Sequence, residues 1–327
     1  MHQFDPVLSR FQEGATLSEA DIERLSLITD DEIDTLFFVA NRLRQKHFGN
    51  RVHLCSIINA KSGRCPENCA FCAQSVHHST DAPVYPLASV ERIVAEAGDA
   101  AARGARCYGI VTSGTRVSDR EIDTICEAVR IIRERYDITP SCSLGILSQQ
   151  QLLKLKEAGV GTYHHNLETS RSFFPRICTT HDYEEDVETI RAAKRVGLPV
   201  CSGGLFGMGE ERRDRVELAL LLRELGVDSI PLNFLNPVPG TPLAGLSAIT
   251  PRECLVTIAI FRVITPRASI SVCGGREYNL RDLQSWIFTA GANGMMIGNY
   301  LTTSGRNPED DHRMLADLGL EPEGCHG

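Results

Sequence analysis

The stretch LCSIINAKSGRCPENCAFC, residues 54–72, begins as an apolar segment and continues into a loop that carries three cysteines. Its first part, residues 54–58, is short and apolar, which predicts a β-strand. From about residue 52 onward, short apolar segments of this kind alternate with longer amphipathic segments. That alternation is typical of repeated strand-helix units around a parallel sheet.

The repeat predicts an α/β protein, a (β/α)8 TIM-type barrel, because eight such strands are separated by helices. The strands are predicted at residues 54–58, 107–112, 139–144, 162–167, 199–205, 229–235, 269–273 and 294–297. The helices are predicted at residues 87–103, 119–136, 148–158, 183–196, 213–225, 251–265 and 280–290.

Two further segments flank the predicted barrel, which occupies residues 51–303. Residues 1–50 are predicted to form an N-terminal helical cap, since Ser18 and Asp21 resemble a capping box and Asp30 begins a second helical run. Residues 304–327 contain several glycines and prolines and are predicted to form a loose C-terminal tail.

Composition excludes several classes of protein. The 327 residues are 42% hydrophobic and carry a net charge of -8, so neither nucleic acid nor an anionic membrane is an expected partner. No apolar run reaches the roughly 20 residues that span a bilayer, and no basic stretch leads into an apolar one at the start, so we expect a cytoplasmic protein. In that reducing compartment, twelve cysteines indicate metal or cluster ligation rather than disulfides.

Cys65, Cys69 and Cys72 have the spacing CxxxCxxC directly after the first predicted strand, in a loop at the carboxyl end of the barrel. Three thiolates this close together can bind three irons of a [4Fe-4S] cluster and leave the fourth iron open. A structural zinc site is the alternative, but zinc usually takes four protein ligands, and the nearby candidates are His77 and His78. The spacing therefore favours a [4Fe-4S] cluster with one reactive iron.

The residues around this triplet resemble the radical S-adenosylmethionine enzymes, and the longer motifs resemble those of the biotin synthases. The similarity runs in unbroken order from about residue 51 to residue 319. The motifs that carry it are KSGRCPENC (61–69) with CAQS (72–75), YHHNLETS (163–170), VCSGG (200–204), Asn233 through GTPL (240–243), GGRE (274–277) and LTT (301–303).

This resemblance implies an enzyme that inserts sulfur into dethiobiotin to form biotin. S-adenosylmethionine would bind the open iron of the Cys65, Cys69, Cys72 cluster, and its one-electron cleavage would supply a radical that abstracts a substrate hydrogen. A barrel suits this chemistry because its interior excludes water. A small ferredoxin or flavodoxin is the implied electron donor, and the implied assembly is a homodimer.

The resemblance also implies the ligand-binding residues. They are Asn166 and Glu168 for the ribose, Phe71 and Leu205 beside the adenine, Asn166 and Asn233 for the ureido ring, and Thr302 and Thr303 for the valeryl carboxylate. An asparagine side chain both donates and accepts, as a ureido group requires. The alternative is that the two asparagines are buried and bonded to the backbone alone.

The chain departs from the family at a second cluster, a [2Fe-2S] centre that serves as the sulfur source. Of its three cysteines and one arginine, Cys201 is present, whereas the other positions hold Gly109, Ser141 and Ser271. Replacing an arginine by Ser271 removes bulk and positive charge, which makes room for a cluster with more iron.

Other cysteines can replace the missing ligands. Side chains alternate along a strand, so Cys107 and Cys273 face the same way as positions 109 and 271, and Cys55 occupies a place near the family's cluster. We therefore expect Cys55, Cys107, Cys201 and Cys273 to ligate a four-iron auxiliary cluster with an extra sulfide, in an anaerobic cell. Cys142 is a further candidate, which a strand irregularity would have to turn inward. A [2Fe-2S] cluster is the alternative.

Three further cysteines and one aspartate also bear on the function. Cys126, Cys178 and Cys254 lie in helical or loop segments and are expected to be buried structural thiols. Asp186 stands where the family has an arginine for the S-adenosylmethionine carboxylate. These departures favour, as an alternative, another radical enzyme on the same barrel, such as a mutase or a methylthiolation-like enzyme, whereas Asn233 and the Thr302–Thr303 pair argue against it. A non-catalytic iron-sulfur or electron-transfer protein is the other alternative, and it would not need Asn166 and Glu168 or a closed substrate cavity.

Overall fold

Strand β1 (Arg51–Lys61) shows how the barrel is built. In the computed structural model, which describes residues 18–303 and 305–323, burial alternates along this strand. Val52, Leu54 and Ile58 are buried, whereas Cys55 and Ile57 are partly exposed and line an interior cavity. Because successive side chains of a strand point to opposite faces, one face packs on helices and the other faces the cavity.

The strands close into a parallel barrel. Besides β1, its strands are β2 (Cys107–Thr112), β3 (Thr139–Ser143), β4 (Thr162–His164), β5 (Val200–Cys201), β6 (Gly204–Phe206), β7 (Ser229–Phe234), β8 (Ser269–Val272) and β9 (Gly294–Met296). From β1 to β5 each strand pairs with the next, β7 pairs with β8 and β8 with β9, and β9 closes the barrel by pairing with β1. Two short strands, β5 and β6, share the fifth position, since both pair with β7. The (β/α)8 prediction is confirmed.

Helices surround the barrel, and most begin at a residue whose side chain caps the free N–H groups of the first turn. Ser89, Ser118, Ser148 and Thr250 each accept a hydrogen bond of this kind. The helices are α1 (Glu19–Ser26), α2 (Ile33–Phe48), α3 (Val90–Ala102), α4 (Asp119–Arg135), α5 (Gln149–Ala158), α6 (Tyr183–Arg195), α7 (Arg212–Glu224), α8 (Pro251–Ile264), α9 (Arg276–Leu280), α10 (Trp286–Thr289) and α11 (Pro308–Asp317). In the part of the chain that the structure describes, every helix is too short or too polar to span a bilayer.

The N-terminal helices pack on the outside of the barrel, where α2 contacts α8 and α1 contacts α7. The capping box predicted at Ser18 and Asp21 is present at the start of α1, and the second helical run begins at Asp30 as a 3₁₀ turn. Residues 1–17 of the predicted cap lie outside the described residues.

Two predictions of secondary structure are wrong. The helix predicted at 280–290 is interrupted, because Arg281 adopts a positive φ of 50° and ends α9, after which a 3₁₀ turn precedes α10. The segment after Thr303 is not a loose tail in its described part. It forms α11 and then β10 (Glu321–Pro322), which pairs with the start of β1.

A buried ion pair holds this C-terminal segment to the barrel. Nη1 and Nη2 of Arg276 donate to the two carboxylate oxygens of Asp311 at 3.0 and 2.6 Å, and both residues are fully buried. The charged partner raises the pKa of Arg276 despite its burial. The pair therefore ties α11 to the start of α9, which follows β8.

We expect Asp311→Ala to lower the free energy of unfolding by about 3–5 kcal/mol, because it leaves the Arg276 charge buried without its partner. The measurement is denaturant unfolding followed by circular dichroism. The matched control is Asp310→Ala, which removes a neighbouring carboxylate from an exposed pair with Arg313 and should change stability very little. Equal effects of the two substitutions would contradict a structural role for the buried pair.

Candidate active site

A cavity of about 880 Å³ lies inside the barrel and collects nearly all of the residues singled out in the sequence. The predicted residues that line it are Cys69, Phe71, Cys72, Asn166, Glu168, Leu205, Asn233, Thr302, Thr303, Cys55, Cys107, Cys201 and Cys273. Predicted residues as far apart in the sequence as Cys55 and Thr303 therefore line one cavity.

The cysteine triplet lies in a loop that folds back on itself after β1. The backbone N–H of Cys65 donates to the Gln74 carbonyl at 3.0 Å, and that of Cys72 donates to the Cys69 carbonyl at 2.9 Å. Burial, together with the nearby charge of Cys65, raises the pKa of Cys72 to about 11. Cysteines that bind a metal do so as thiolates, and three of them in one loop are a donor set that fits an iron-sulfur cluster.

A second segment, residues 177–181, braces the cluster loop. Ala70 N–H donates to the Ile177 carbonyl at 2.8 Å, and Asn68 N–H donates to Thr180 Oγ1 at 3.1 Å. The Sγ atoms of Cys69 and Cys178 are 3.8 Å apart. Cys178 is thus buried as expected, but it contacts the triplet, which its sequence position alone does not reveal.

Glu67, inside the triplet motif, connects this brace to the barrel. Its carboxylate accepts hydrogen bonds from the hydroxyls of Thr115 and Thr180 and from Nδ1 of His181 at 2.7 Å. Hydrogen bonds to Asp186 and Cys178 raise the pKa of His181 to about 11. The imidazole is therefore protonated at neutral pH and brings a positive charge close to the cluster loop.

Asp186 is buried between two histidines. It accepts from Nε2 of His165 at 2.8 Å and from Nε2 of His181 at 3.1 Å. Although burial raises its pKa, these two hydrogen bonds lower it below the ordinary value. At the position where the resemblance implies an arginine, this chain therefore has a carboxylate held by imidazole groups. The CxxH spacing of Cys178 and His181 is the sequence signal that points to this group.

Asn166 and Glu168 follow β4 and face the cavity. Asn166 Oδ1 accepts from the Gly203 N–H at 3.1 Å, and its side chain also bonds to Glu168. Glu168 has a positive φ of 63°, an uncommon conformation for this residue type, and its carbonyl accepts from the Leu205 N–H at 2.8 Å. Burial raises the pKa of Glu168 to about 7.

Asn233, on β7, is oriented by the backbone on both sides. Its Oδ1 accepts from the Gly274 N–H at 2.9 Å, and its Nδ2 donates to the Gly204 carbonyl at 3.3 Å. An asparagine amide has two donors and two acceptor positions. One bond uses an acceptor position and the other a donor, so the side chain is held in place and retains one donor and one acceptor for a ligand.

Thr302 and Thr303 lie in a loop that Glu277 clamps from both sides. The Glu277 carboxylate accepts from the Tyr300 hydroxyl at 2.9 Å and from the Arg306 N–H at 3.0 Å. The loop is closed further by a 3.0 Å hydrogen bond from the Tyr300 N–H to the Thr303 carbonyl. The two threonines are thereby held at the cavity wall.

Four cysteines meet inside the barrel. Cys55 and Cys107 are direct neighbours in the register of β1 and β2. A contact with the Cys273 thiol, together with burial, raises the pKa of Cys55, and burial with the charges of Cys107 and Cys55 raises that of Cys201 to about 12. The structure therefore groups Cys55, Cys107, Cys201 and Cys273, and their thiols are a donor set that fits an iron-sulfur cluster.

Gly109, Ser141 and Ser271 face the same cavity. The sulfur of Cys107 lies 3.5 Å from Ser141 Oγ, and His53 bonds to the same sulfur. Cys107 therefore faces inward with position 109, and Cys273 with position 271, as the alternation of side chains predicts.

Cys142 does not join this group. Ser141 and Ser143, its neighbours on β3, both line the cavity, so alternation turns Cys142 toward the helices, where it is fully buried. The inclusion of Cys142 among the candidate ligands is wrong because β3 pairs with β2 in continuous register, with no bulge to reverse its faces. Cys126 and Cys254 lie on α4 and α8 and are buried, as expected.

Comparison with known proteins identifies the family. Residues 60–231 match the model of the radical SAM superfamily, and residues 231–321 match that of the biotin and thiamin synthesis associated domain. The chain is 61% identical, over 99% of its length, to the biotin synthase of Geobacter sulfurreducens, 98% of which is covered. The chain belongs to the biotin synthase family. The biotin synthase of Geobacter metallireducens is likewise 61% identical, over 98% of each chain.

Structural comparison agrees on the fold. A methylornithine synthase superposes with a TM-score of 0.83 at 21% sequence identity, covering 97% of both chains, which supports the barrel and nothing more specific. Membership in the biotin synthase family confirms the resemblance seen in the motifs. The chain is accordingly a radical S-adenosylmethionine enzyme, and its family implies a [4Fe-4S] cluster together with S-adenosylmethionine.

Proposed function

We propose that the chain converts dethiobiotin to biotin within the barrel cavity, with an auxiliary iron-sulfur cluster as the sulfur donor. One observation carries this proposal: the cluster loop, the polar residues Asn166 and Asn233, and four interior cysteines all line the same cavity. Radical formation, substrate binding and sulfur supply then take place within one enclosed space. The test is biotin formation from dethiobiotin by anaerobically reconstituted protein; cleavage of S-adenosylmethionine without any biotin would favour the mutase-like alternative.

The cluster loop would hold the [4Fe-4S] cluster through Cys65, Cys69 and Cys72. When bound, this cluster supplies one-electron chemistry to S-adenosylmethionine. Asn166 and Glu168 are proposed to bind its ribose, and Phe71 and Leu205 its adenine. The positions of these four residues on the cavity wall, and the partly satisfied side chain of Asn166, support the assignment.

The substrate would bind between two groups of polar residues. Asn166 and Asn233 are proposed to bond the ureido ring, which both donates and accepts. Thr302 and Thr303 are proposed to bind the valeryl carboxylate through their hydroxyl groups. The Glu277 clamp on their loop supports this role, because a preformed loop loses little conformational freedom when the substrate binds.

We expect Asn233→Ala to weaken dethiobiotin binding by about 1–3 kcal/mol, because it removes one donor and one acceptor that face the ligand and leaves buried polar groups unpaired. The measurement is isothermal titration calorimetry of reconstituted protein with dethiobiotin. Asn50→Ala, at an exposed position outside the cavity, is the matched control. Unchanged affinity in Asn233→Ala would show that this residue has a structural role alone.

The auxiliary cluster is proposed to contain four irons and an extra sulfide, which becomes the ring sulfur. Cys55, Cys107, Cys201 and Cys273 are its proposed ligands, and their grouping in the cavity supports this set. Four thiolates from four segments can each bind one corner of a cube. A [2Fe-2S] centre is the less favoured alternative.

The family also supports two proposals about partners. A reductant is required, and we propose a small ferredoxin or flavodoxin as the electron donor. A homodimer is the proposed assembly. Both proposals rest on the resemblance to biotin synthases rather than on a surface of this chain.

A further inference from the structure

The barrel cavity extends to the amino end of the strands, opposite the cluster loop. Its lining there includes the first residues of three strands, Thr139 of β3, Ser229 of β7 and Ser269 of β8, together with Arg106, which directly precedes β2. In a typical (β/α)8 barrel the interior is filled by layers of branched apolar side chains, and the active site occupies the carboxyl end. Chemistry at the cluster loop therefore does not account for a cavity at the amino end.

Polar groups at this end connect the cavity with the outer surface of the protein. Arg106 lines the cavity, and its Nη1 donates to the exposed Asp137 carboxylate at 2.9 Å. Asp228 also lines the cavity, is half exposed, and accepts from Lys194 Nζ at 3.2 Å. Thr139 is exposed as well. Among the described residues, Arg106, Thr139 and Asp228 thus border a second opening of the cavity, the amino-end mouth.

Three of the four interior cysteines lie next to the amino-end mouth. Cys107 is the first residue of β2 and is paired in register with Thr139 on one side and with Cys55 on the other. Cys201 is paired in register with Ser229, the first residue of β7. These thiols therefore lie beside residues that line the amino end of the cavity.

The side chains between the mouth and the thiols are small and carry hydroxyl groups. Thr139 and Ser141 line the cavity along β3, and Ser269 and Ser271 line it along β8. Ser141 Oγ lies 3.5 Å from the Cys107 sulfur. A hydroxyl group both donates and accepts hydrogen bonds. This path therefore suits a small hydrogen-bonding molecule better than a large apolar one.

The other end of the cavity would be filled during the reaction. Asn166 and Glu168 follow β4, and Asn233 lies near the end of β7, so S-adenosylmethionine and dethiobiotin bound there would occupy the carboxyl end. A route to the interior thiols that stays open during turnover then has to start at the amino end. The molecule that needs this route is a sulfur donor, because the proposed reaction removes one sulfide for each biotin formed.

We propose that the amino-end mouth is the entrance through which hydrogen sulfide reaches the interior cysteines and replaces the sulfide that biotin formation consumes. This rests on the proposed function, in which the auxiliary cluster is the sulfur donor. Hydrogen sulfide supplied in this way releases two protons and transfers no electron, so its supply needs no oxidant or reductant. Sulfur then enters at one end of the barrel, and the organic substrates enter at the other.

The test is sulfide uptake by the full-length reconstituted protein after a single turnover. Sodium sulfide labelled with ³⁴S is added, and the label is measured over time in the acid-labile sulfide of the protein and in newly formed biotin. Thr139→Phe places a large side chain at the mouth, and Thr162→Phe does so from the first residue of β4 in case the first variant does not fold. Asn50→Phe, exposed directly before β1 and outside the cavity, is the matched control.

We expect the first turnover to form biotin normally in all of these proteins, and uptake of labelled sulfide to be several-fold slower in Thr139→Phe and Thr162→Phe than in wild type or Asn50→Phe. Thr139→Ala, which keeps the mouth open, should take up sulfide at the wild-type rate. Equal uptake in wild type and in both phenylalanine variants at the mouth would overturn the proposal.

A second measurement separates this proposal from the proposed function. In the metal-free full-length chain, methyl methanethiosulfonate labels accessible thiols, and peptide mass spectrometry follows each cysteine. Thr139→Phe should slow the labelling of Cys107 and Cys201 and leave that of Cys65, at the other end of the cavity, unchanged. Unchanged labelling of Cys107 and Cys201 would show that the mouth is not a route to them. Absence of biotin in the first turnover of wild type would refute the proposed function, which is a separate result.

Discussion

We expect Cys65→Ala and Cys72→Ala each to abolish reductive cleavage of S-adenosylmethionine. Each substitution removes the only protein ligand of one iron, and the remaining thiolates of the loop cannot hold the cluster in the geometry that leaves a single iron open. The measurement is 5'-deoxyadenosine production with dithionite as the reductant. Wild-type rates in either variant would refute the assignment of the triplet.

Cys65 and Cys72 are better test positions than Cys69. Cys178 lies 3.8 Å from the Cys69 sulfur, so a Cys69→Ala variant keeps a thiol beside the vacated position. Adding Cys178→Ala to Cys69→Ala removes that second thiol. The matched control is Cys254→Ala, which removes a buried thiol from α8 and should leave cleavage unchanged.

The barrel was predictable because its signal repeats. Each strand has to bury one face against helices, so its apolar residues recur at a short period, and each helix has an amphipathic pattern and a capping residue. The predicted strand at residues 107–112 has the same bounds as β2, and the helix predicted at 251–265 differs from α8 by one residue. Such local signals do not depend on distant contacts.

One of the two errors in secondary structure occurs where a distant contact decides the structure, and the other where the backbone conformation of a single residue does. The segment after Thr303 carries weak helical signals, and its order depends on a buried carboxylate, Asp311, that meets Arg276 from another part of the chain. The break in the helix predicted at 280–290 depends on one residue, Arg281, with a positive φ. Neither feature has a periodic pattern that could be recognised in the sequence.

In the candidate site, too, some contacts follow from the local sequence and others depend on packing between distant segments. The spacing of Cys65, Cys69 and Cys72 places them in one loop, so their grouping follows from the sequence. Cys178 is more than one hundred residues further along and reaches the triplet because the brace packs on the cluster loop. Spacing contains no information about that packing, which is why Cys178 was expected to be a structural thiol.

The alternation of side chains along a strand is correct for Cys107, Cys273 and Cys142. Cys107 and Cys273 face the cavity because they lie two residues from positions 109 and 271, respectively. The same rule turns Cys142 outward, and including it required a bulge that β3 does not contain. In a regular strand, a residue between two inward-facing neighbours must face outward.

We expect Cys273→Ser to abolish biotin formation and to leave uncoupled cleavage of S-adenosylmethionine largely intact. Cys273 contacts Cys55 inside the barrel and belongs to the group of four thiols, whereas the triplet lies in the loop after β1. Removing one auxiliary ligand therefore disrupts the sulfur source without altering the ligands of the first cluster. The measurements are iron and acid-labile sulfide content, biotin yield and 5'-deoxyadenosine yield on the same preparation.

The iron content separates the two possible auxiliary clusters. Two four-iron clusters require about eight irons per chain in the reconstituted wild type, and Cys273→Ser should retain about four. About six irons, with the optical spectrum of a [2Fe-2S] centre, would overturn the four-iron assignment. Cys142→Ser is the matched control: it changes a buried thiol on β3 that faces the helices, so it should keep all of the iron and form biotin normally. If Cys142→Ser instead lost iron as Cys273→Ser is expected to, β3 would have to turn its other face to the cavity, and the proposed ligand set would be wrong.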